Sequence, residues 1–205
     1  MSKRMGIWPC LIVATGALAL SGCGQATNYN RTQYVLDPTR PGEPVSTSHD
    51  AVLEVRRFMI DSAFSGKGFV YRSAQLQYET DYYREFLVSP AAMIREVARN
   101  WFARSGLFAR VADPGSYIEP TYALEANVTQ LYGDLRDETA PKAVMEVRAF
   151  VLEVKDRRDP AIVHSKTYSA TMPMQTQDPG SLVAAFNQCL QTILTDLESD
   201  VAAKL

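Results

Sequence analysis

The chain has 205 residues, with 21 lysines and arginines against 23 aspartates and glutamates and a net charge of −2. A mildly acidic chain is a poor candidate for non-specific nucleic-acid binding, because such binding depends on neutralising phosphate charges, so we expect no nucleic-acid partner. The length suits one domain that buries a sizeable core.

The first segment, residues 1–22, has the layout of a secretory signal peptide. Lys3 and Arg4 precede an apolar run from Ile7 to Leu20. A membrane-spanning helix needs about 20 apolar residues, whereas a shorter run of this kind is typical of the central region of a signal peptide. We therefore predict that residues 1–22 are removed from the mature protein, with a plain secretory signal or a membrane anchor as the alternatives.

The signal ends in Leu20-Ser21-Gly22-Cys23, which resembles the bacterial lipobox. The resemblance implies cleavage before Cys23 and acylation of that cysteine. Gly24 follows where an Asp would be the usual inner-membrane retention signal, so the same resemblance points to the outer membrane. Residues 23–33 are then predicted to be the acylated cysteine and a flexible tether, and residues 34–205 a single periplasmic domain.

The three cysteines leave no pair for a disulfide in the mature chain. Cys10 lies in the signal, Cys23 is the predicted acylation site, and Cys189 remains alone. The apolar neighbours of Cys189 predict a buried helix face, on which a free cysteine behaves as a small hydrophobic residue.

Short apolar runs, in part alternating with polar residues, predict a series of strands along the domain. The segment 74–79 is interpreted as a half-buried strand, with Leu76 and Tyr78 on one face. A segment rich in Pro, Gly, Ser and Thr, residues 39–50, is predicted to be a flexible loop. The predicted strands are 34–36, 52–60, 69–72, 74–79, 82–86, 107–111, 122–131, 143–155 and 162–172.

Two amphipathic helices complete the predicted fold. The first begins at Pro90 with Ser89 as its N-cap and ends near Gly106, and the second covers about 179–203 with Asp178 as its cap. The order of the elements predicts an α+β fold, in which a mainly antiparallel sheet carries both helices on one face.

The sequence contains no catalytic or metal-binding signature that we can identify, so no catalytic residue, cofactor or metal site is predicted. Two isolated histidines, His49 and His164, are the best candidates for an unrecognised enzyme site. A group of aromatic residues with one arginine is the remaining candidate for function, as an interaction surface, although packing between helix and sheet would explain the rings equally well. This candidate surface consists of Tyr71, Arg72, Tyr78, Tyr82 and Tyr83.

The order of several short motifs resembles the ABC-type transport auxiliary lipoprotein family, the PqiC-like proteins. After the lipobox come Gly-Phe-Val-Tyr-Arg at 68–72, the run Tyr-Arg-Glu-Phe-Leu-Val-Ser-Pro-Ala-Ala-Met-Ile at 83–94, and Ser-Gly-Leu-Phe at 105–108. The resemblance implies a non-enzymatic protein, anchored in the outer membrane and facing the periplasm. Its implied partners are an MCE-domain protein and an ABC transporter of a lipid-trafficking system, and it would work as a homo-oligomer. An outer-membrane assembly lipoprotein and a periplasmic enzyme with an unrecognised site are the alternatives.

Overall fold

In the computed structural model of the protein, residues 30–45, 49–113, 115–154 and 159–205 are described. The predicted signal peptide, the acylation site at Cys23 and most of the predicted tether therefore lie outside the described residues. Residues Arg31–Leu205 form one compact unit. The strands are β1 (Thr32–Tyr34), β2 (His49–Ile60), β3 (Gly68–Ala74), β4 (Gln77–Phe86), β5 (Phe108–Ala112), β6 (Tyr122–Asp134), β7 (Lys142–Glu153) and β8 (Ala161–Pro173), and the helices are α1 (Pro90–Ser105) and α2 (Pro179–Ala202).

Both helices begin and end where their local sequence predicts. The Ser89 hydroxyl accepts a hydrogen bond from the Ala92 N–H, and Pro90 occupies the first turn, where its missing N–H costs nothing. Gly106 ends α1 in the left-handed conformation, with a φ of 73°. At α2 the Asp178 carboxylate accepts hydrogen bonds from the N–H groups of the first turn.

The strands form one eight-stranded sheet, and the predicted α+β class is confirmed. The long pairings of β6 with β7 and of β7 with β8 are antiparallel, as is the β3–β4 hairpin. Four pairings are parallel, which the sequence did not predict: β1 with β4, β2 with β5, β2 with β6, and β3 with β6. A parallel pairing joins strands that are distant along the chain, so no turn signal announces it.

Strand β6 is shared by two arms of the sheet. One of its edges pairs with β7 along the whole strand, so the other edge must hold both of its parallel partners. On that edge β2 pairs with residues 122–128, and β3 pairs with Gly133 and Asp134. The sheet therefore divides into one arm of β2 and β5 and a second arm of β3, β4 and β1.

The hydrophobic core lies between one face of the sheet and the two helices. Helix α2 contacts β7 and β8, α1 contacts β2 and β5, and the helices touch each other. Burial of this apolar surface is the main stabilising contribution. The largest fully buried side chains include Leu53, Phe69, Ile94, Phe102, Leu124, Met145, Leu182, Phe186, Leu190 and Ile193.

Residues 36–45, which we call the strap, lie against both helices without forming a regular element. The Asp37 N–H donates to the Asn187 side chain at 2.9 Å, and the Gln191 side chain donates to the Thr39 carbonyl at 3.0 Å. At the far end of the strap, the Val45 N–H donates to the last carbonyl of α1 at 2.8 Å. Part of the predicted flexible loop is thus held by specific hydrogen bonds.

Arg40 fixes the middle of the strap. Its guanidinium donates two hydrogen bonds to the Glu198 carboxylate, at 2.7 and 3.0 Å, and the Trp101 indole N–H donates to the same carboxylate at 2.7 Å. Arg40 also donates to two carbonyls of the strap itself. The Arg40 and Glu198 side chains are only 10% and 15% exposed, so this ion pair joins the strap, α1 and α2 below the surface.

Two strand predictions are wrong in detail. The predicted strand at 74–79 is interrupted, because β3 ends at Ala74, Gln75 and Leu76 make a turn, and β4 begins at Gln77. Strand β1 covers Thr32–Tyr34 where 34–36 was predicted, so the last two residues of the predicted tether belong to the sheet. The boundary between β3 and β4 carries no Gly, Pro, Asn or Asp, the residues that usually indicate a turn.

Candidate interaction surface

The five residues of the candidate surface lie on the β3–β4 hairpin but divide into three groups. Tyr71 is partly buried on the helix side of the sheet, where its ring lies against Gly133 and Leu182. Burial raises the pKa of the Tyr71 hydroxyl to about 12, so the side chain stays neutral. Tyr71 therefore packs the hairpin against α2 and presents little surface to a partner.

Arg72 and Tyr78 are brought together near the turn of the hairpin. They are register partners across β3 and β4, and the guanidinium lies 5.6 Å from the centre of the Tyr78 ring. A cation over an aromatic face is stabilised by the ring quadrupole. Arg72 also donates to the Gln75 carbonyl at 2.6 Å, which holds the turn.

An aromatic cluster supports Tyr78 from below. The Tyr78 ring meets the Tyr132 ring edge-on at 5.5 Å, and Phe64 stacks on Tyr132 at 6.0 Å. Phe64 and Tyr132 are buried, whereas Tyr78 is exposed. The hairpin turn is therefore braced by rings from the 3-10 helix Ser62–Phe64 and from β6.

Tyr82 and Tyr83 form the third group, farther along β4. Their rings meet edge-on at 5.2 Å, and the Arg31 guanidinium lies 4.7 Å from the centre of the Tyr82 ring. Arg31 also approaches the Glu85 carboxylate at 3.8 Å. The first residue of the compact unit thus lies over the Tyr82 ring.

The sequence pattern did not predict Leu76 as a surface residue. It lies in the turn and is 93% exposed, whereas its alternation with Gln75 and Gln77 had predicted a half-buried strand. We call residues 74–78 the hairpin tip. The role of Arg72, Tyr78, Tyr82 and Tyr83 in recognition stays a prediction. Tyr78 and Tyr82 are exposed, whereas Arg72 and Tyr83 are half-buried.

The comparison with known proteins assigns the chain to a family. Residues 34–198 match the family described as ABC-type transport auxiliary lipoprotein component. The chain belongs to this family. Among curated proteins there is no match.

Solved structures share the fold of this auxiliary lipoprotein. A Xanthomonas campestris protein of the family DUF330 is similar with a TM-score of 0.69 and 22% identity, over 84% of this chain and 96% of its own. An uncharacterised protein gives a TM-score of 0.64 and 13% identity, over 84% and 99%. A hypothetical protein of Chlamydia trachomatis gives 0.50 and 10%, over 76% and 98%. At sequence identities this low, the similarity shows a shared fold and does not assign a function.

The two histidines of the auxiliary lipoprotein lie on separate strands. His49 begins β2 and His164 lies on β8, with β6 and β7 between the two strands. Two intervening strands place their backbones about 14 Å apart across the sheet. The topology therefore does not pair these residues in one site.

His164 belongs instead to a hydrogen-bonded network at the edge of the sheet. The Tyr168 hydroxyl donates its one hydrogen to the Asp200 carboxylate at 2.8 Å. In the second hydrogen bond of that hydroxyl, to the Nε2 of His164 at 2.8 Å, the ring N–H of His164 is therefore the donor. Lys166 donates to the same carboxylate at 2.7 Å. Burial, together with the hydrogen bond to Asp200, raises the pKa of Tyr168, and the hydrogen bonds from Lys166 and Tyr168 lower the pKa of Asp200. The network ties β8 to the last turns of α2.

Cys189 is a core residue, as predicted. It is fully buried on α2, and its sulfur lies 3.6 Å from the Ala170 carbonyl of β8. Burial raises the pKa of the thiol to about 12, and the thiolate is the nucleophilic form. The Cys189 thiol is therefore inert at neutral pH.

The described residues offer little for metal or cofactor chemistry. None of their His, Cys, Asp and Glu side chains forms a group of three or more that could hold a metal ion. One cleft of about 470 Å³ opens beside β2, but its charged residues, Glu54 and Arg56, are paired with each other at 2.7 Å. Within the described ranges, no helix combines the length and hydropathy needed to cross a bilayer.

Proposed function

We propose that this protein is an outer-membrane-anchored periplasmic lipoprotein that serves as a docking component of an ABC transporter of the MCE type, in envelope lipid trafficking. The observation that carries the proposal is the match of residues 34–198 to the transport auxiliary lipoprotein family. The lipobox ending at Cys23 supplies the anchor, and Gly24 after it favours the outer membrane.

The fold is compatible with a docking role. The β3–β4 hairpin presents Arg72, Tyr78, Tyr82 and Tyr83 on a braced support, and aromatic residues with arginine are enriched at protein interfaces. Tyr71 holds the hairpin from the helix side.

Among the described strands, β8 pairs only with β7, and its free edge is a surface through which a homo-oligomer could assemble.

The proposal is tested by crosslinking in intact envelopes followed by purification of the lipoprotein. We expect recovery of an MCE-domain protein and of transporter components. Recovery of outer-membrane assembly factors instead would favour the alternative lipoprotein role, and recovery of neither, with the transporter present, would contradict the proposal.

Cys23→Ala tests the anchor separately from the partner. The variant has no acylation site, so we expect it to leave the membrane fraction while its circular dichroism spectrum and melting temperature match those of the unacylated domain. A variant that stays firmly in the membrane fraction would contradict the lipobox interpretation.

The interaction surface is tested with Arg72→Ala combined with Tyr78→Ala. Loss of crosslinked partner, with unchanged membrane attachment, is expected if these side chains form the docking surface. Tyr117→Ala is the matched control, because Tyr117 is a fully exposed aromatic residue in another loop.

A further inference from the structure

The hairpin tip is the most exposed apolar feature of the β3–β4 arm. Leu76 is 93% exposed, and Tyr78 beside it and Tyr82 farther along β4, the latter 68% exposed, leave rings in solvent. Scattered exposed side chains need no explanation. These three differ because they follow one another along β4 and the turn that precedes it.

Strand β1, the first of the domain, is oriented relative to the hairpin tip by its pairing with β4. Strand β4 runs away from the tip, from Gln77 to Phe86, and β1 is parallel to β4 with Thr32 opposite Arg84. The residue before β1, Arg31, lies over Tyr82, on the side of Arg84 that is nearer the tip. The N-terminal end of β1 is therefore its end nearer the tip.

The length of the preceding chain is sufficient to bring the tip to the anchor. From Arg31 back to Cys23 there are eight residues, which reach at most about 26–29 Å when extended. From Tyr82 to Leu76 there are six residues along the hairpin, or about 20 Å. An acyl anchor on Cys23 thus permits the tip to lie at the membrane surface.

We propose that the hairpin tip contacts the bilayer into which the acylated Cys23 is inserted. This inference rests on the acylation that is part of the proposed function. Leu76 enters the boundary between headgroups and acyl chains, and Tyr82 lies at the level of the headgroups, where rings with a polar end are favoured. One leucine adds little affinity to that of the acyl chains, so the contact orients the domain.

The charges near the tip favour an apolar contact without selection for anionic lipids. The basic residues Arg72, Arg136 and Lys142 are accompanied by acidic residues: Asp134 pairs with Arg136 at 2.6 Å, and Asp137 and Glu138 lie in the neighbouring β6–β7 loop. A juxtamembrane site for anionic lipids would need a basic cluster. We therefore expect the contact to form on wholly zwitterionic vesicles as well.

The test uses tryptophan fluorescence of the acylated mature protein on lipid vesicles. The sequence has two tryptophans, of which one lies in the predicted signal and the other, Trp101, is buried and serves as a constant reference. In Leu76→Trp we expect the added emission to shift to shorter wavelength on vesicles and to be quenched by lipids brominated on their acyl chains.

Tyr117→Trp is the matched control at the opposite end of the domain. Tyr117 is equally exposed and lies in the loop before the start of β6, about 40 Å along that strand from the end next to the tip. We expect its added emission to be unaffected by brominated lipids. Flotation of both variants with the vesicles reports on the anchor independently.

Each outcome decides the inference. Flotation with selective quenching at position 76 supports it. Flotation without quenching at position 76, or with equal quenching at position 117, overturns it while leaving the anchor intact. Failure to float refutes the acylation on which both proposals rest. Protection of position 76 by an added MCE-domain protein, but not by vesicles, would assign the tip to protein docking instead.

Discussion

Glu198 accepts hydrogen bonds from two parts of the molecule, and its removal is the sharpest test of how the strap is held. In Glu198→Ala the Arg40 guanidinium loses both of its carboxylate bonds and the Trp101 indole N–H loses its acceptor. The strap itself keeps its backbone contacts with α2. The variant therefore isolates the ion pair and the indole bond from the rest of the packing.

The expected cost follows from the burial of the pair. Removing one partner of a buried ion pair costs about 3–5 kcal/mol, and an indole N–H left without an acceptor adds to that cost. Because the strap has no regular secondary structure, Arg40 can turn its side chain towards water once Glu198 is removed, which places the loss at the lower end, about 3 kcal/mol. For a domain of this size, such a loss lowers the melting temperature by about 6–12 °C.

Thermal and urea denaturation followed by circular dichroism measure this loss. Glu96→Ala is the matched control, because Glu96 also pairs with an arginine, Arg99, but with side chains that are 52% and 23% exposed. Exposed pairs contribute about 0.2–1 kcal/mol. Glu198→Gln, which keeps an acceptor for Trp101, should fall between the two. If Glu198→Ala and Glu96→Ala melt together, the reasoning from burial is refuted.

Three further predictions concern the domain. Gly106→Ala should lower the free energy of unfolding in urea more than Gly42→Ala does. Both glycines have positive φ, but a Cβ at Gly106 would lie 2.7 Å from a strap carbonyl, whereas none of the described atoms would lie within 4 Å of a Cβ at Gly42. Equal losses of stability in the two variants would contradict the clash. The hydrogen bond from the Arg136 guanidinium holds the pKa of Asp134 below its ordinary 3.8. This carboxylate therefore stabilises the fold at neutral pH, and its contribution is lost as the pH falls through the lowered pKa. Asp134→Asn should flatten the decline of stability below about pH 4, and an unchanged dependence of stability on acid pH would contradict this prediction. Cys189, buried with a raised pKa, should react with a disulfide reagent only at the rate of unfolding; rapid reaction of the native protein would refute its burial.

The helix ends were predictable because their signals are local. Ser89 and Asp178 each precede a proline, and each accepts hydrogen bonds from the first turn of the helix that follows. A cap of this kind acts within four residues and depends on no distant contact. The amphipathic pattern then identified which helix face is buried.

The hairpin tip and the parallel pairings were not predictable in the same way. Gln75 and Leu76 turn the chain without the residues that usually announce a turn, and the alternation around Leu76 imitates a half-buried strand. The pairing of β2 and β3 with one edge of β6 depends on segments more than 50 residues apart. Tyr71 illustrates the consequence for the candidate surface, since only the register of β3 shows that its ring lies beneath α2.

The strap also constrains the order in which the chain can fold. Its contacts join residues about 150 positions apart: Asp37 to Asn187, Thr39 to Gln191 and Arg40 to Glu198. A chain that emerges from its N-terminus during export presents the strap first and α2 last. The strap, which follows β1, therefore acquires its final contacts only when the last helix arrives, and losing that helix would leave the strap without its partners on α2.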